Sequence, residues 1–271
     1  MKKLTIVTIN KNNLNGLKET ASSVIKQRNT DFEWIVVDGM SIDGSIEYIK
    51  SISSFIDLYI IENDSGIYHA MNKGVNLSSG KYLLFLNSGD VLVDGLFNDG
   101  LIDGLSKDLE YGDCLIKTRT GFLTAKQPDV LSFQSFYAGC ICHQAAFVRR
   151  DLHIKYPFDE KLKLASCRRF FLDIIVFGNA SYHYLGRPIA VYDTGGMSSL
   201  HKDKLVEEQS KYITSYLPQM VLYDMERLRH YDIYAKNSNL FALIMRIHPF
   251  SGRRRFFESI VIKLSKIIFP L

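Results

Sequence analysis

The stretch Leu4-Thr5-Ile6-Val7-Thr8-Ile9-Asn10 is an apolar run rich in β-branched residues, which predicts a buried strand. From Leu14 to Ile25 the apolar side chains recur at the spacing of one helix face. A second apolar run, Trp34-Ile35-Val36-Val37, then ends at Asp38-Gly39. Continuous apolar strands separated by an amphipathic helix are typical of a parallel sheet that helices cover on both faces.

The same alternation continues to about residue 90. It predicts a helix at 42–56, a strand at 58–61, a helix at 67–77 and a strand at 82–86. The later pattern predicts a hairpin from 111–117 and 121–125, a helix at 167–177, two short strands at 182–185 and 189–192, and helices over 202–234 with a break near Pro218. We therefore expect one doubly wound α/β domain at 1–200, followed by a helical C-terminal extension at 201–271.

Composition narrows the function classes. The 271 residues are 46% apolar and 23% charged, which is typical of a globular protein. A formal net charge of +4 is too small to predict nucleic-acid binding. The sequence shows neither a transmembrane run nor a signal peptide, so a cytoplasmic protein is expected. Reduced thiols are favoured over a zinc site or disulfides for the four cysteines, Cys114, Cys140, Cys142 and Cys167.

Polar side chains stand where the predicted strands of the first half end. They are Thr8, Asn10, Asp38, Asp64, Asn87 and Asp90. In an open α/β sheet the carboxyl ends of the strands form the ligand-binding edge. Carboxylates gathered there repel each other, and a bound cation or a ribose would relieve that cost. Taken singly, Asp38-Gly39 is also typical of a turn, and Asp64-Ser65 of a helix N-cap.

Neither a Gly-x-Gly-x-x-Gly fingerprint nor a phosphate-binding P-loop follows the first strand, which argues against dehydrogenases and P-loop enzymes. The sequence instead resembles the inverting glycosyltransferases of family 2, which have the GT-A fold. The matching segments are 6–10, 34–39 with 41–44, 64–74 (Asp-Ser-Gly-Ile-Tyr-His-Ala-Met-Asn-Lys-Gly), 85–90 (Phe-Leu-Asn-Ser-Gly-Asp) and His143-Gln144. The resemblance covers about residues 1–200 and is strongest to the branch that builds colanic acid, O-antigen and capsular polysaccharides.

The resemblance implies a mixed GT-A sheet that binds a nucleotide-sugar donor with residues 1–100 and an acceptor with residues 101–200. The donor is expected to be a UDP-sugar, with a GDP-sugar as the alternative. The implied donor-binding residues are Thr8, Asn10, Asp38, Asp64, Lys73, Asn87, Ser88, Gly89 and Asp90. His143 and Gln144 are implied on the acceptor side. The structural alternatives are a core histidine for His143 and an exposed helix surface for Lys73.

The segment Asn87-Ser88-Gly89-Asp90 stands where the family has its Asp-x-Asp motif, which implies that Asp90 ligates Mn²⁺ or Mg²⁺. A nucleoside diphosphate leaves readily only when a cation neutralises its developing charge, and carboxylate oxygens suit that ion. Asn87 replaces the more usual first acid, which is expected to weaken metal binding. His201 is a further candidate ligand, with an exposed loop histidine as the alternative.

The family's catalytic base is an Asp at the start of a helix, but Cys167 stands at the matching position, after Lys163-Leu164-Ala165-Ser166. Loss of a positioned base commonly lowers the rate by about 10² to 10⁴. One hypothesis is therefore a weakly active or inactive enzyme. The other is a substitute base. Asp173 lies about 240° around the helix from Cys167 and would face elsewhere, whereas Arg168 and Arg169 or the helix N-terminus could lower the pKa of the Cys167 thiol.

Residues 240–271 carry six basic side chains and one acidic one, with apolar residues between them. Such a basic amphipathic end suits an anionic membrane surface, and docking on the domain or on a homodimer partner is the alternative. The resemblance adds a reason for the membrane, because acceptors in these pathways are often polyprenyl-diphosphate-linked oligosaccharides. The sequence leaves both possibilities open: peripheral association with the inner face of the plasma membrane, and docking of this end on protein.

Together these features predict a metal-dependent, inverting glycosyltransferase of bacterial surface polysaccharide synthesis, acting on a glycan or a lipid-linked oligosaccharide. The alternative is a degenerate family member that binds nucleotide sugar or a partner without efficient turnover. A nucleotidyltransferase with a related sheet is disfavoured, because a glycine-rich basic loop does not follow the first strand.

Overall fold

The computed structural model describes residues 2–27, 30–118, 120–138, 141–196 and 201–237. Cys140 and the basic end predicted at 240–271 lie outside the described residues. The strands are β1 (Leu4–Asn10), β2 (Glu33–Asp38), β3 (Leu58–Ile61), β4 (Tyr82–Phe85), β5 (Val91–Leu92), β6 (Leu109–Thr118), β7 (Gly121–Ala125), β8 (Ala146–Arg149) and β9 (Tyr182–Tyr192). The helices are α1 (Leu14–Ile25), α2 (Ser45–Ser51), α3 (Ile67–Leu77), α4 (Leu101–Gly104), α5 (Phe133–Ala138), α6 (Arg150–Lys155), α7 (Ser166–Leu172), α8 (Lys202–Tyr216) and α9 (Gln219–Asn237).

Within these residues nine strands form one mixed sheet in the order β3-β2-β1-β4-β8-β6-β9-β5, with β7 paired to β6. Strand β1 runs parallel to β2 and to β4, and β2 runs parallel to β3. Strand β8 lies antiparallel between β4 and β6. The predicted α/β class and mixed sheet are therefore confirmed. The strand order reverses at β1, which places a crevice at the carboxyl ends of β1 and β4.

The central strands are buried because helices pack on both faces of the sheet. Leu4 and Ile6 of β1 belong to the core that also contains Leu17 of α1. On the opposite face α3 crosses β1 closely at Gly74, where an added Cβ would lie 2.3 Å from Val7 Cγ1. This close crossing fixes the start of α3 beside the crevice.

Two element predictions needed correction. The helix expected at 42–56 is shorter: α2 starts only after Gly44, whose φ of +93° is left-handed, and a 3₁₀ turn at Ser53–Phe55 follows it. The two strands expected at 182–185 and 189–192 are one strand, β9. Pairing with β6 continues through this region by shifting register between Tyr111 and Cys114. Long-range pairing thus overrides the local turn signal at Gly186, whose φ is +67°.

The chain divides into two compact units, Met1–Ser215 and Tyr216–Leu271. The first unit contains the sheet and nearly all of α8, although the sequence suggested that the extension begins at residue 201. The two predicted helices separated near Pro218 are present as α8 and α9. In the described part of the chain, none of the helices combines the length and apolar character needed to span a bilayer.

Candidate active site

A cavity of about 1230 Å³ opens at the carboxyl edge of the sheet. It brings together seven residues that the sequence singled out: Asp64, Asn87, Ser88, Asp90, His143, Gln144 and Cys167. The polar and charged lining residues that the sequence did not assign to the site include Lys11, Asn13, Tyr68, Lys163, Asp193 and Lys202. The donor-side and base-side predictions therefore meet in one cavity of the first unit.

Asp90 and Asp193 form the acidic floor of this cavity. Asp90 is only 5% exposed, and its Oδ1 accepts a hydrogen bond of 2.9 Å from the Asp193 backbone N–H. Burial raises the pKa of Asp90 to about 6, opposed by that hydrogen bond and by the charge of His143. Antiparallel pairing of β5 with β9, which joins Val91 to Val191, brings these two distant carboxylates together.

Gly89 lets the two carboxylates approach each other. Its φ is +107°, and an added Cβ would lie 2.5 Å from Asp193 Oδ2. Nearby, Asn87 Nδ2 lies 3.2 Å from His143 Nε2. Asn87 Oδ1 is buried and has no hydrogen-bond partner among the described residues. An unpaired buried acceptor is costly, and Asn87 lines the same cavity as Asp90 and Asp193, so this oxygen is a candidate ligand for a cation.

Asp38 lies fully buried at the end of β2 in a network of donors. Its Oδ2 accepts from Asn10 Nδ2 at 2.7 Å and from Ser41 Oγ at 2.8 Å, and its Oδ1 accepts from the Ser41 N–H at 2.8 Å. Asn10 Oδ1 has no partner in the described part of the chain. Parallel pairing of Asn10 with Asp38 at the ends of β1 and β2 creates this polar pair.

Lys11 and Asp64 close over the neighbouring Gly39. Lys11 Nζ lies 3.8 Å from Asp64 Oδ1, and an added Cβ at Gly39 would lie 2.2 Å from Asp64 Oδ2. Both side chains line the cavity, whereas Asn10 and Asp38 do not. In this conformation Lys11 and Asp64 therefore cover Asn10 and Asp38, which were predicted to bind the nucleoside. Only a small part of the Asp64 side chain is accessible.

Cys167 contacts two side chains of the cavity wall. The Tyr68 hydroxyl lies 3.6 Å from Cys167 Sγ and 2.7 Å from the Leu164 carbonyl oxygen. Burial would lower the pKa of His143, but its hydrogen bond with Cys167 and the charges of Cys167 and Asp90 outweigh burial and raise it. The predicted base position thus faces the same cavity as the acidic floor.

Besides Asn10 and Asp38, three further predicted site residues have side chains outside the cavity. Thr8 is buried, and its Oγ1 accepts from Trp34 Nε1 at 3.1 Å on the core side of β1. Lys73 pairs with Glu62 at 2.9 Å and donates to the Asn63 carbonyl oxygen. His201 is not a lining residue, and its carbonyl oxygen accepts from the Leu205 N–H at the start of α8. The structure does not bring these side chains into the cavity.

The charged side chains that follow Cys167 divide between the cavity and its surroundings. Arg168 lines the cavity and hydrogen bonds to Gln209. Arg169 instead pairs with Asp159 at 2.5 Å and with Asp173 at 3.5 Å, and neither Arg169 nor Asp173 is a lining residue. The placement of Asp173 agrees with its predicted position around the helix.

Helix α8 holds the loop that leads to Cys167. The Glu208 carboxylate accepts from the backbone N–H groups of Lys163 at 2.5 Å, Leu164 at 2.7 Å and Ala165 at 2.7 Å. Because charged acceptors form the stronger hydrogen bonds, this contact fixes the loop and the start of α7.

Two of the other thiols, Cys114 and Cys142, lie next to each other. Cys114 lies against Cys142, and this hydrogen bond together with burial raises the pKa of the Cys114 thiol. Cys114, Cys142 and Cys167 are free thiols. Within the described ranges, no group of three or more His, Cys, Asp or Glu side chains is arranged to hold a metal ion.

Sequence reasoning missed Asp193 and Glu208. Asp193 precedes Gly195-Gly196, a glycine pair that marks a loop, but the sequence contains no signal that joins it to Asp90. Glu208 follows Glu207 on a polar helix face, and the pattern does not distinguish the two. Only long-range pairing identifies them.

Sequence comparison places the chain among known enzymes. The model of glycosyl transferase family 2 matches residues 5–101. The chain is 31% identical over 193 residues to the PGL/p-HBAD biosynthesis glycosyltransferase of Mycobacterium bovis, an alignment that covers 67% of this chain and 73% of that one. The chain belongs to glycosyl transferase family 2. It is therefore a glycosyltransferase.

Structural comparison shows the GT-A fold. Staphylococcus aureus TarS 1-349, solved in complex with UDP, superposes with a TM-score of 0.60 at 20% identity, over 87% of this chain and 73% of that one. The mannosyltransferase PcManGT from Pyrobaculum calidifontis, solved with GDP-Man and Mn²⁺, has a TM-score of 0.60 at 14% identity, over 99% of this chain and 81% of that one. At these identities the likeness establishes the fold, and the donor and metal remain properties of those two proteins.

Proposed function

We propose that this glycosyltransferase transfers a hexosyl or hexosaminyl group from a nucleoside diphosphate donor, preferably UDP, with inversion. The acceptor is a glycan or a polyprenyl-diphosphate-linked oligosaccharide of bacterial surface polysaccharide synthesis. The observation that carries the proposal is that Asp90, Asp193 and Asn87, whose Oδ1 has no hydrogen-bond partner among the described residues, line one cavity of about 1230 Å³. Binding of UDP by TarS and of GDP-Man by PcManGT supports a nucleotide donor.

The nucleoside end of the donor fits the polar pair at the ends of β1 and β2. Asn10 Oδ1 is a buried acceptor without a partner among the described residues, which suits an N–H group of a pyrimidine base. Access requires Lys11 and Asp64 to move away from Gly39. Their contact of 3.8 Å is long for an ion pair and half-exposed at Lys11, so it opposes this movement weakly.

The diphosphate end fits the acidic floor. Asp90, Asp193 and Asn87 Oδ1 are hard oxygen ligands, the type that Mn²⁺ and Mg²⁺ prefer, and donor phosphate oxygens would complete the coordination. A divalent cation held there would neutralise charge on the departing diphosphate. Two carboxylates close together without a cation would repel each other, which is a further reason to place one between them.

The transfer step itself needs a base on the opposite side of the sugar. The acceptor hydroxyl oxygen forms a bond to the anomeric carbon while the bond from that carbon to the β-phosphate oxygen breaks, and the hydroxyl proton passes to the base. Attack from the face opposite the leaving group inverts the anomeric configuration. Cys167 stands at the wall that faces the acidic floor, with His143 in contact.

The acceptor side is rich in cations. Lys163, Arg168 and Lys202 line the cavity around the base position. Positive charge there favours an anionic acceptor such as a diphosphate-linked lipid. Peripheral membrane association through 240–271 belongs to the same proposal. Truncation before Leu240 should reduce co-sedimentation with anionic vesicles, and unchanged co-sedimentation would contradict that role.

Calorimetric titration of UDP and GDP, each with and without Mn²⁺, tests the donor site without an acceptor and without a working base. We expect UDP to bind only when Mn²⁺ is present and GDP to bind more weakly. Asp90→Asn should abolish the metal-dependent part of the signal, whereas Asp99→Asn, at a surface ion pair with Arg187, should not. Failure of both nucleotides to bind would contradict the proposed donor site.

A second candidate function rests on Cys167. If the thiol cannot accept the acceptor proton, the protein binds nucleotide sugar without efficient transfer. Such a protein would pass the calorimetric test and yet show no transfer. Recovery of transfer in Cys167→Asp would then identify an impaired enzyme, and continued inactivity would favour a binding role.

A further inference from the structure

Strands β6 and β7 form an arm at the end of the sheet, which we define as residues 115–126. Strand β6 also pairs with β9 as far as Ile116, so the arm is two-stranded only beyond that residue. Among the described residues, β7 pairs only with β6, so its outer edge is open. The register pairs Lys117 with Phe122 and Ile116 with Leu123. The arm is anchored where Gln127 Oε1 accepts from the Cys142 N–H at 3.2 Å, beside the catalytic cavity.

The tip of the arm exposes two large apolar side chains. Phe122 is 61% exposed and Leu123 is 60% exposed. Successive residues of a strand point to opposite faces of the sheet. Phe122 lies on one face of the arm and Leu123 on the other, so both faces are exposed at these two residues. An antiparallel strand normally keeps one face for the core and one polar face for water. Most of the surface of Phe122 and of Leu123 is therefore left uncovered by the described residues.

The charge of the arm indicates the kind of surface that would cover Phe122 and Leu123. Residues 115–126 contain Lys117, Arg119 and Lys126 and lack Asp and Glu. Lys117 and Lys126 are exposed, and Lys117 shares the face of Phe122. Pairing with a second copy along β7 would bring two such positive arms together, which like-charge repulsion opposes. An anionic surface that also accepts apolar side chains is complementary to both features.

We propose that the arm binds the surface of an anionic lipid bilayer, with Phe122 and Leu123 inserted at headgroup level and the flanking lysines against lipid phosphates. This contact is separate from the end at 240–271 and does not depend on the donor or the metal. Gln127 and Cys142 connect the arm to the cavity wall. Binding of the arm to the membrane would therefore determine which side of the cavity faces the membrane.

A tryptophan reporter tests insertion directly in the full chain. The protein has one tryptophan, Trp34, which is fully buried, so its emission is a constant background. In Phe122→Trp, vesicles of equal parts phosphatidylglycerol and phosphatidylcholine should shift the new emission to the blue, and brominated lipids should quench it. The matched control is Ile154→Trp in α6, at a side chain 53% exposed, which should remain unshifted. The local reporter separates the arm from any binding by 240–271.

Charge reversal supplies the second measurement. A basic side chain near an anionic bilayer strengthens binding by about fivefold. Lys117→Glu/Lys126→Glu in the Phe122→Trp background should therefore weaken the blue-shifted binding by at least about tenfold, whereas Lys50→Glu on α2 should change it little. Vesicles of phosphatidylcholine alone should give little shift.

Three results would overturn the proposal. The first is a water-exposed reporter at position 122 while the chain co-sediments with anionic vesicles. The second is no binding to these vesicles at all. The third is a blue shift without vesicles that grows with protein concentration, which would assign the arm to self-association.

Discussion

At the scale of single residues, Cys167 occupies the position at which the family resemblance implies the catalytic base. Its Sγ lies 3.6 Å from the Tyr68 hydroxyl, and His143 hydrogen bonds to it. A thiol has an ordinary pKa of about 8.5 and an Asp carboxyl about 3.9, so only the carboxylate is fully ionised at neutral pH. A carboxylate at position 167 would therefore accept hydrogen bonds from the Tyr68 hydroxyl or the His143 ring.

We therefore predict that Cys167→Asp raises the rate of sugar transfer, or of donor hydrolysis, by at least about tenfold. Cys167→Ala is the matched control and should not exceed the parent. Donor binding measured by calorimetry should be the same in all three proteins. If Cys167→Asp and Cys167→Ala both equal the parent in rate, the base lies at another position.

A second residue-scale prediction concerns His153 of α6. Its ring stacks on Phe170 with centroids 4.2 Å apart, and both ring nitrogens are buried without a partner among the described residues. Burial lowers its pKa to about 3, below the unfolded value of about 6.5. Below pH 6.5 the unfolded chain therefore binds a proton that the native chain does not bind. The stability of the native chain decreases as the pH is lowered through this range.

The expected loss is about 1.4 kcal/mol per pH unit below pH 6.5, or about 2 kcal/mol at pH 5. His153→Phe keeps an aromatic ring in the stack and removes this titration. Urea unfolding at pH 7.5 and pH 5 should show a smaller loss in the variant than in the parent. Equal losses would mean that His153 finds a hydrogen-bond partner in solution.

At the scale of elements, α8 determines how firmly the loop at 163–165 is held. Glu208 accepts from three backbone N–H groups there, whereas the adjacent Glu207 pairs with Lys211 on the surface. A glutamine has one acceptor oxygen, and its NH₂ group would face the N–H donors. The two neighbouring glutamates therefore make a matched pair for mutation.

Glu208→Gln should lower the free energy of unfolding by about 1.5 to 3 kcal/mol, because hydrogen bonds to a charged acceptor are lost. It should also speed alkylation of Cys167 by iodoacetamide, since the start of α7 loses its anchor. Glu207→Gln should leave both measurements unchanged. Equal behaviour of the two variants would contradict the anchoring role of Glu208.

At the scale of the whole molecule, the cavity couples donor binding to the stability of the first unit. A ligand present at about 100 times its Kd stabilises the native state by about 2.7 kcal/mol. For a chain of this size the corresponding rise in Tm is about 5 to 10 °C. We predict such a rise for UDP with Mn²⁺ and a much smaller one for UDP alone. In Asp90→Asn the two increments should become equal, and a metal-dependent rise that persists would exclude Asp90 as the ligand.

Local patterns along the chain are enough to predict the parallel half of the sheet and the edge at which the cavity lies. Apolar runs at 4–9, 34–37 and 82–86 are local patterns, and they determine both the strands and the polar residues that follow them. Family membership also followed from motifs in linear order. Side-chain periodicity and turn chemistry act over a few residues, so these features can be derived from the chain alone.

Which of the remaining residues share the cavity depends on contacts between distant segments. Asp193 reaches Asp90 through the pairing of β9 with β5, and Glu208 reaches the loop before Cys167 through the position of α8. Lys73 turned toward Glu62 because of its place on α3, although the motif suggested phosphate contact. These outcomes depend on pairing and packing between segments about a hundred or fewer residues apart, which local patterns do not encode.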